Sequence, residues 1–274
     1  MSPSAWFITG CFSGFGATLA EELLVRNVPV VVSARKLDSL QPLFDKGAKG
    51  VQWDVDNDEV TLKQKADEVD ELVEGGIAVV VNNAGFAAFG SAEEQDYDAF
   101  RSILETNFFG LVKTTRAFLP LLRSRNTGTI VNISSIAGIA GGASYSAYSA
   151  AKHAVDGFTL SLAQEVSHLN IRTLLVNPGY FRTNFLSSSA PQVVGPISAY
   201  KPITQPVQDA LGAYAGQQPG DPILGARAIV DTVLGSGPAA GKEWTGRLLL
   251  GPDAVEVMEG IISAEKRGLE VWRG

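Results

Sequence analysis

Apolar residues along the chain fall into short runs rich in Val and Ile, separated by longer stretches where apolar and polar positions recur at helical spacing. The runs AWFIT (5–9), VPVVVSA (28–34), GVQWDV (50–55), IAVVVNN (77–83), GTIVNISS (128–135) and NIRTLLVN (170–177) predict strands. They are continuous rather than alternating, as expected of strands covered on both faces of a parallel sheet. The stretches 15–26, 36–45, 57–74, 96–123 and 148–168 predict the intervening helices. A helix at 221–235, a strand at GRLLL (246–250) and a tail helix at 253–271 complete the pattern.

Regular strand-helix alternation predicts a doubly wound α/β fold, with right-handed crossovers placing helices on both faces of a parallel sheet. The chain has 274 residues and shows no internal repeat and no linker before residue 178. At about 150 residues per domain that length fits one large or two small domains, and the unbroken pattern favours a single domain over 1–274. The stretch 184–220 departs from the pattern, with Pro191, Pro196, Pro202, Pro206 and Pro219 and only two charges, Lys201 and Asp209. A long neutral insertion in a compact domain is expected to be a functional loop or lid, with disorder as the alternative.

Composition narrows the function classes. With 45% hydrophobic and 19% charged residues, wholesale disorder is excluded. The single cysteine, Cys11, cannot form an internal disulfide and reads as a small packing residue, which fits a reducing compartment. A net charge of −7 argues against nucleic acid, which calls for a basic face. The densest basic spot, Arg123 and Arg125, reads as the dipole partner of a helix C-terminus. The amino-terminal MSPSAWFITG lacks the pattern of a secretory leader, and no run approaches the roughly 18 apolar residues of a membrane span. The expectation is a soluble cytoplasmic protein. His153 and His168 follow no metal-ligand spacing, so no metal is expected.

Three segments carry chemistry. The first strand runs into TGCFSGFG, where Gly10, Gly14 and Gly16 precede a helix. Glycines there permit a tight turn and let backbone N–H groups approach a pyrophosphate at the helix N-terminus. In YSAAK, Tyr148 and Lys152 stand four apart and share a helix face. An ammonium near a phenol favours phenolate, so Lys152 is expected to draw the Tyr148 pKa down toward neutrality. Ser134 and Ser135 end a central strand at its carboxyl edge, where open α/β sheets bind ligands and where a hydroxyl can steady a developing alkoxide.

Together with NNAG at Asn82 to Gly85, these motifs make the chain resemble the short-chain dehydrogenase/reductase family, in its branch of about 250 residues with TGxxxGxG and YxxxK motifs, from about residue 5 to 183 plus the last strand. The resemblance implies a Rossmann-type sheet and a nicotinamide cofactor. It makes Ser135, Tyr148 and Lys152 the catalytic trio and Asn107 the holder of a proton-relay water. Gly10, Ser13, Phe15 and Gly16 would surround the cofactor phosphates. Asn82, Ala84 and Gly85 would lie beside the adenosine ribose, Asp54 and Val55 at the adenine edge, and Pro178, Gly179 and Thr183 on the nicotinamide side. Tyr148 and Lys152 would also contact the cofactor.

Cofactor choice turns on the end of the second strand, where an acid serves the ribose 2′-OH of NAD and cations serve the 2′-phosphate of NADP. Here Ala34 stands at the acid's place and Arg35 follows, with Ser33 and Lys36 nearby, so NADP(H) is expected and NAD(H) remains possible given Asp38 and Ser13. The implied activity is reduction of a hydrophobic ketone, or oxidation of the matching alcohol, of steroid, retinoid or polyketide-like character. Phe86, Tyr145 and Tyr180 are the expected substrate contacts. NAD-dependent alcohol oxidation and a silent nicotinamide-binding sensor are the alternatives. Pairing through 96–123 and 148–168 would give a homodimer, or a homotetramer.

Overall fold

Each strand run presents two sets of apolar side chains, and the fold buries one set on each face of a single sheet. The computed structural model of the chain describes residues 4–185 and 196–273. Strands β1 (Ala5–Ile8), β2 (Val30–Ala34), β3 (Lys49–Gln52), β4 (Ile77–Asn82), β5 (Gly128–Ile133), β6 (Ile171–Pro178) and β7 (Arg247–Leu250) form one sheet. Their order is β3-β2-β1-β4-β5-β6-β7, all parallel. This is the expected doubly wound architecture.

On one face Trp6, Ile8, Val32, Val81 and Val131 pack against α1 (Gly14–Val25). The same face meets a helix at Pro222–Leu234. On the other, Phe7, Val31, Val80 and Ile130 meet α3 (Glu59–Glu71), α5 (Gly110–Arg125) and α6 (Ser146–Val166). The one-residue alternation of Trp6, Phe7 and Ile8 between these two cores is the period-two geometry of a strand. The strand order reverses beside β1, between β1 and β4, which opens a crevice at their carboxyl ends.

Three expectations need correction. The predicted helix 36–45 is a 3₁₀ turn, Leu37–Leu40, followed by one turn of α-helix, α2 (Gln41–Phe44). The predicted helix 96–123 is α4 (Tyr97–Leu104), a π-helical stretch Glu105–Phe109 and α5 in continuous succession. Such a bulge re-aims the side chains it carries and is frequent at functional sites. The stretch 184–220 holds a helix, α7 (Lys201–Tyr214), with Pro202 in its first turn, where no intrahelical N–H is needed. Residues 186–195 of that stretch lie outside the described residues. The chain entering α7 is tied to the loop after β4: Glu94 Oε1 accepts from Ile197 N at 2.8 Å, and Tyr200 donates to Glu93 Oε2 at 2.8 Å.

The helix Pro222–Leu234, hereafter α8, is capped by Asp221, whose side chain accepts from Ile223 N. The tail helix α9 (Pro252–Trp272) packs through Ala254 at its start and is exposed over most of its length. No helix among the described residues is long and apolar enough to cross a membrane.

Candidate active site

The crevice over the ends of β1, β4, β5 and β6 is a cavity of about 590 Å³, within the range of small-molecule sites. Its floor begins with the glycine turn. Gly10 and Gly14 have φ of +73° and +62°, in the left-handed region that favours glycine. A Cβ on Gly10 would lie 2.9 Å from Ala84 Cα, and one on Gly16 would lie 2.5 Å from Gly10 O. The turn therefore touches the loop after β4 backbone to backbone. Thr9 Oγ1 accepts from Asn83 N and Ala84 N, both at 3.0 Å, and Asn83 Nδ2 donates to Thr9 O at 2.9 Å and Gly10 O at 3.1 Å.

Helix α1 begins with no side-chain cap, and Ser13, Gly14 and Phe15 line the cavity. Uncapped N–H groups at a helix start favour an anion. At the far end Ala34, Arg35, Asp54 and Val55 line the cavity; Ala34 is buried and Arg35 exposed. Ser33 faces the other way, donating to Ile8 O at 3.0 Å, and Lys36 is not a lining residue. A helix start that favours anions and an exposed guanidinium lining the same cavity fit a nicotinamide dinucleotide.

Two of the expected ribose and phosphate contacts sit elsewhere. Asn82 is buried beneath the cavity, where its Nδ2 donates to Thr115 Oγ1 at 2.9 Å and Asn132 Oδ1 at 2.8 Å. A strand's alternation sends Asn82 into the α5 side, and Asn83, Ala84 and Gly85 line the cavity instead. Gly16 does not line it either; its missing side chain is what lets α1 pack on Gly10.

At the other end Ser135, Tyr148 and Lys152 come together. Ser135 follows β5 in extended conformation, its Oγ accepting from Ala137 N at 3.1 Å and hydrogen-bonded to the Tyr148 phenol. Ser134 does not share this role, because its hydroxyl donates to the Asp156 carboxylate. Lys152 is buried and donates to Ile133 O at 2.8 Å. The expected lowering of the Tyr148 pKa is not found. Burial pushes Tyr148 up to about 12, against the opposing pull of the Ser135 hydrogen bond. Burial also pulls Lys152 down to about 8, partly offset by Asp156.

Asn107 lies in the π-helical stretch, 1% exposed. Its Oδ1 accepts from Phe86 N at 2.8 Å and its Nδ2 donates to Phe86 O at 2.7 Å. Its side chain thus holds the loop after β4 at both ends of the amide. Pro178, Gly179 and Thr183 line the cavity beyond β6. That loop is held by Asp253, whose Oδ2 accepts from Tyr180 N at 2.6 Å, a residue that sequence reading did not single out.

Phe86, Tyr145 and Tyr180 all line the cavity, joined by Phe89 from the segment 86–90 and by Phe185 and Leu211 from the stretch 184–220, the segments expected to face the substrate. The Tyr145 ring packs edge-on to Phe89, Phe185 lies 5.7 Å from Tyr148, and Tyr180 meets Tyr214 of α7 at 5.3 Å between ring centroids. Tyr180 and Tyr145 are hydrogen-bonded to each other, and burial raises the Tyr180 pKa to about 12. Among the described residues no cluster of His, Cys, Asp and Glu could hold a metal ion.

Comparison with known proteins places this geometry. The family model described as short chain dehydrogenase matches residues 4–193. Oxidoreductase BOA17 of Botryotinia fuckeliana is 36% identical, over 98% of this chain and 96% of that protein. Human retinol dehydrogenase 8 is 31% identical over 86% of this chain and 80% of its own length. A crystal structure of a short-chain dehydrogenase from Streptomyces avermitilis, 34% identical, superposes with a TM-score of 0.87, covering 99% of this chain and 96% of the other. The structure of ElxO with NADP bound, 25% identical, gives a TM-score of 0.74 over 93% of this chain and 99% of that one.

Proposed function

The chain belongs to the short chain dehydrogenase family and is an oxidoreductase; on that premise we propose that it reduces hydrophobic ketones with NADPH, Tyr148 serving as proton donor. The observation that carries this reading is the Ser135 hydroxyl on the Tyr148 phenol at one end of a cavity whose other end is the glycine turn. When bound, the nicotinamide cofactor supplies the hydride that reaches the carbonyl carbon.

The chain's own residues do the rest. Gly10, Ser13 and Phe15 would hold the phosphates, Arg35 the 2′-phosphate, Asp54 and Val55 the adenine edge, and Ala84 and Gly85 the adenosine ribose. Pro178, Gly179 and Thr183 would bound the nicotinamide. Tyr148 keeps its proton up to about pH 12, which suits a phenol that donates to the substrate oxygen rather than one that stores negative charge. Ser135 donates to the same oxygen as it gains charge. Lys152, with its ammonium near the phenol, stabilises the phenolate left behind and hydrogen-bonds the cofactor ribose. The carbonyl thereby gains a hydride at carbon and a proton at oxygen and becomes a secondary alcohol.

An apolar wall of Phe86, Phe89, Phe185 and Leu211, with a polar Tyr145–Tyr180 pair, favours a largely hydrophobic substrate carrying few polar groups. A relative named for retinol is in keeping with that chemistry. The 184–220 stretch serves as the substrate lid in this reading, through Phe185 and Leu211.

The test is incubation of purified protein with NADPH and a panel of aromatic and alicyclic ketones, following nicotinamide absorbance. Wild type should turn over at least one ketone, and Tyr148→Phe should lose at least about a hundredfold in rate while binding NADPH as before. Equal rates in the two proteins would sink the assignment.

A further inference from the structure

Asp156 stands one helical turn beyond Lys152 and is 6% exposed. A buried carboxylate needs partners to remain charged, and this one has three. Arg247 Nη1 donates to its Oδ2 at 2.9 Å, Asn177 Nδ2 lies 3.3 and 3.2 Å from its two oxygens, and Ser134 Oγ donates to Oδ1. Arg247 opens β7 and also donates to Asn177 Oδ1 at 2.7 Å.

The connections run toward the reacting groups. Asn177 Nδ2 donates to Ser135 O at 2.9 Å, and Ser134 Oγ lies 3.4 Å from Lys152 O. The turn after Ser135 is clasped to the same carboxylate: a Cβ on Gly138 would meet Ser134 Oγ at 2.5 Å, Asp156 Oδ1 at 2.6 Å and Lys152 O at 2.9 Å. None of Asp156, Asn177 and Arg247 lines the cavity. For stability alone an apolar pair would serve as well as a buried ion pair.

We propose that Asp156 and Arg247 form a buried clamp that acts through Asn177 and Ser134 to position Ser135 and Lys152. They are positioning residues, touching neither substrate nor cofactor, and the inference rests on the proposed roles of Ser135 and Lys152. The titratable groups facing Lys152 are Tyr148 and Asp156 on its own helix; Arg247 faces Asp156 from β7, and Tyr145 and Tyr180 face Tyr148. Removing the Asp156 charge therefore removes the one carboxylate among the described residues that favours the charged lysine.

The experiment follows the Lys152 titration in ligand-free protein by NMR of isotope-labelled lysine Cε, assigned with Lys152→Arg, and measures NADPH-dependent ketone reduction alongside. In Asp156→Asn the Lys152 midpoint should fall by about half a pH unit or more. The kcat should drop at least about tenfold, with the KM values for NADPH and ketone held within about threefold. Either readout left at its wild-type value overturns the clamp, even if the melting temperature falls. Asp156→Asn/Arg247→Leu, which leaves no charge buried alone, is read the same way should the single variant not fold; failure of both to fold assigns the pair to stability and also overturns it. Tyr148→Phe in the same assay separates the two readings, since turnover surviving there removes the proposed function while the Lys152 titration still reports on the clamp.

Discussion

The Lys152 ammonium lies 5.7 Å from the centroid of the Tyr148 ring and donates its hydrogen bond to the Ile133 carbonyl at the end of β5. Four-residue spacing brings the two side chains onto one helix face, as the sequence implies. Spacing alone says nothing of burial, and burial decides their protonation. Desolvation disfavours the charged form of each, so the phenol is harder to ionise and the ammonium easier to neutralise.

The pH dependence of reduction follows from these opposite shifts. Tyr148 stays protonated up to about pH 12, whereas Lys152 is charged below about pH 8 and neutral above it. Lys152 is then the group that titrates within the working range, and its charged form is the one that stabilises a developing phenolate. The kcat/KM for ketone reduction, which reports the free enzyme, should fall as pH rises through about 8. A profile flat from neutrality to well above that midpoint would remove the lysine charge from the step.

Cofactor preference should follow Arg35, which lines the cavity beside the buried methyl of Ala34. A hydrogen bond to a charged group contributes about 1.5–3 kcal/mol, equivalent to roughly 10- to 150-fold in affinity. Arg35→Asp should weaken NADPH by at least that factor and NADH by less than about threefold, as measured by quenching of tryptophan fluorescence on titration. Equal losses for both cofactors would remove Arg35 from the choice.

The strands were legible because parallel strands buried on both faces need no decoding of phase: IAVVVN and GTIVNI read as strands and are strands. Helix α7, with only Thr204 buried, was hidden because Pro202, Pro206 and Gly212 lower helix propensity in a stretch with two charges. Within the candidate site, residues adjacent in sequence were legible as a motif but not one by one. Asn82 and Asn83 are chemically identical, and only the strand's phase sends the first inward and the second to the glycine turn. The pairing of Asp156 with Arg247 spans 91 residues, and nothing local marks either partner.

Gly16 leaves no room for a side chain where α1 packs on the glycine turn. Its added Cβ would lie 2.5 Å from Gly10 O and 2.6 Å from Asn83 Nδ2, and the first of these is backbone, which cannot rotate away. Gly16→Ala should cost about 1–3 kcal/mol, the range for overpacking. It should also displace the glycine turn and so weaken NADPH by at least about tenfold. Thermal unfolding and cofactor titration check the two effects; unchanged NADPH affinity would mean that the turn accommodates the methyl.

Asn107 gives a graded prediction, because the two ends of its amide do separate jobs. Its Oδ1 accepts from Phe86 N and its Nδ2 donates to Phe86 O. Asn107→Asp keeps the acceptor and loses the donor, while Asn107→Leu loses both in nearly the same volume. Each unpaired buried group costs about 1–3 kcal/mol, so the melting temperature should fall by roughly 2–10 °C in the first variant and further in the second. Activity should fall in the same order, since the chain that Asn107 holds runs directly from Gly85, where an added Cβ would lie 3.8 Å from Lys152 Nζ. A variant with normal melting temperature and reduced turnover would instead favour a direct part in proton relay, and one with a lowered melting temperature and full turnover would leave the loop position without catalytic consequence.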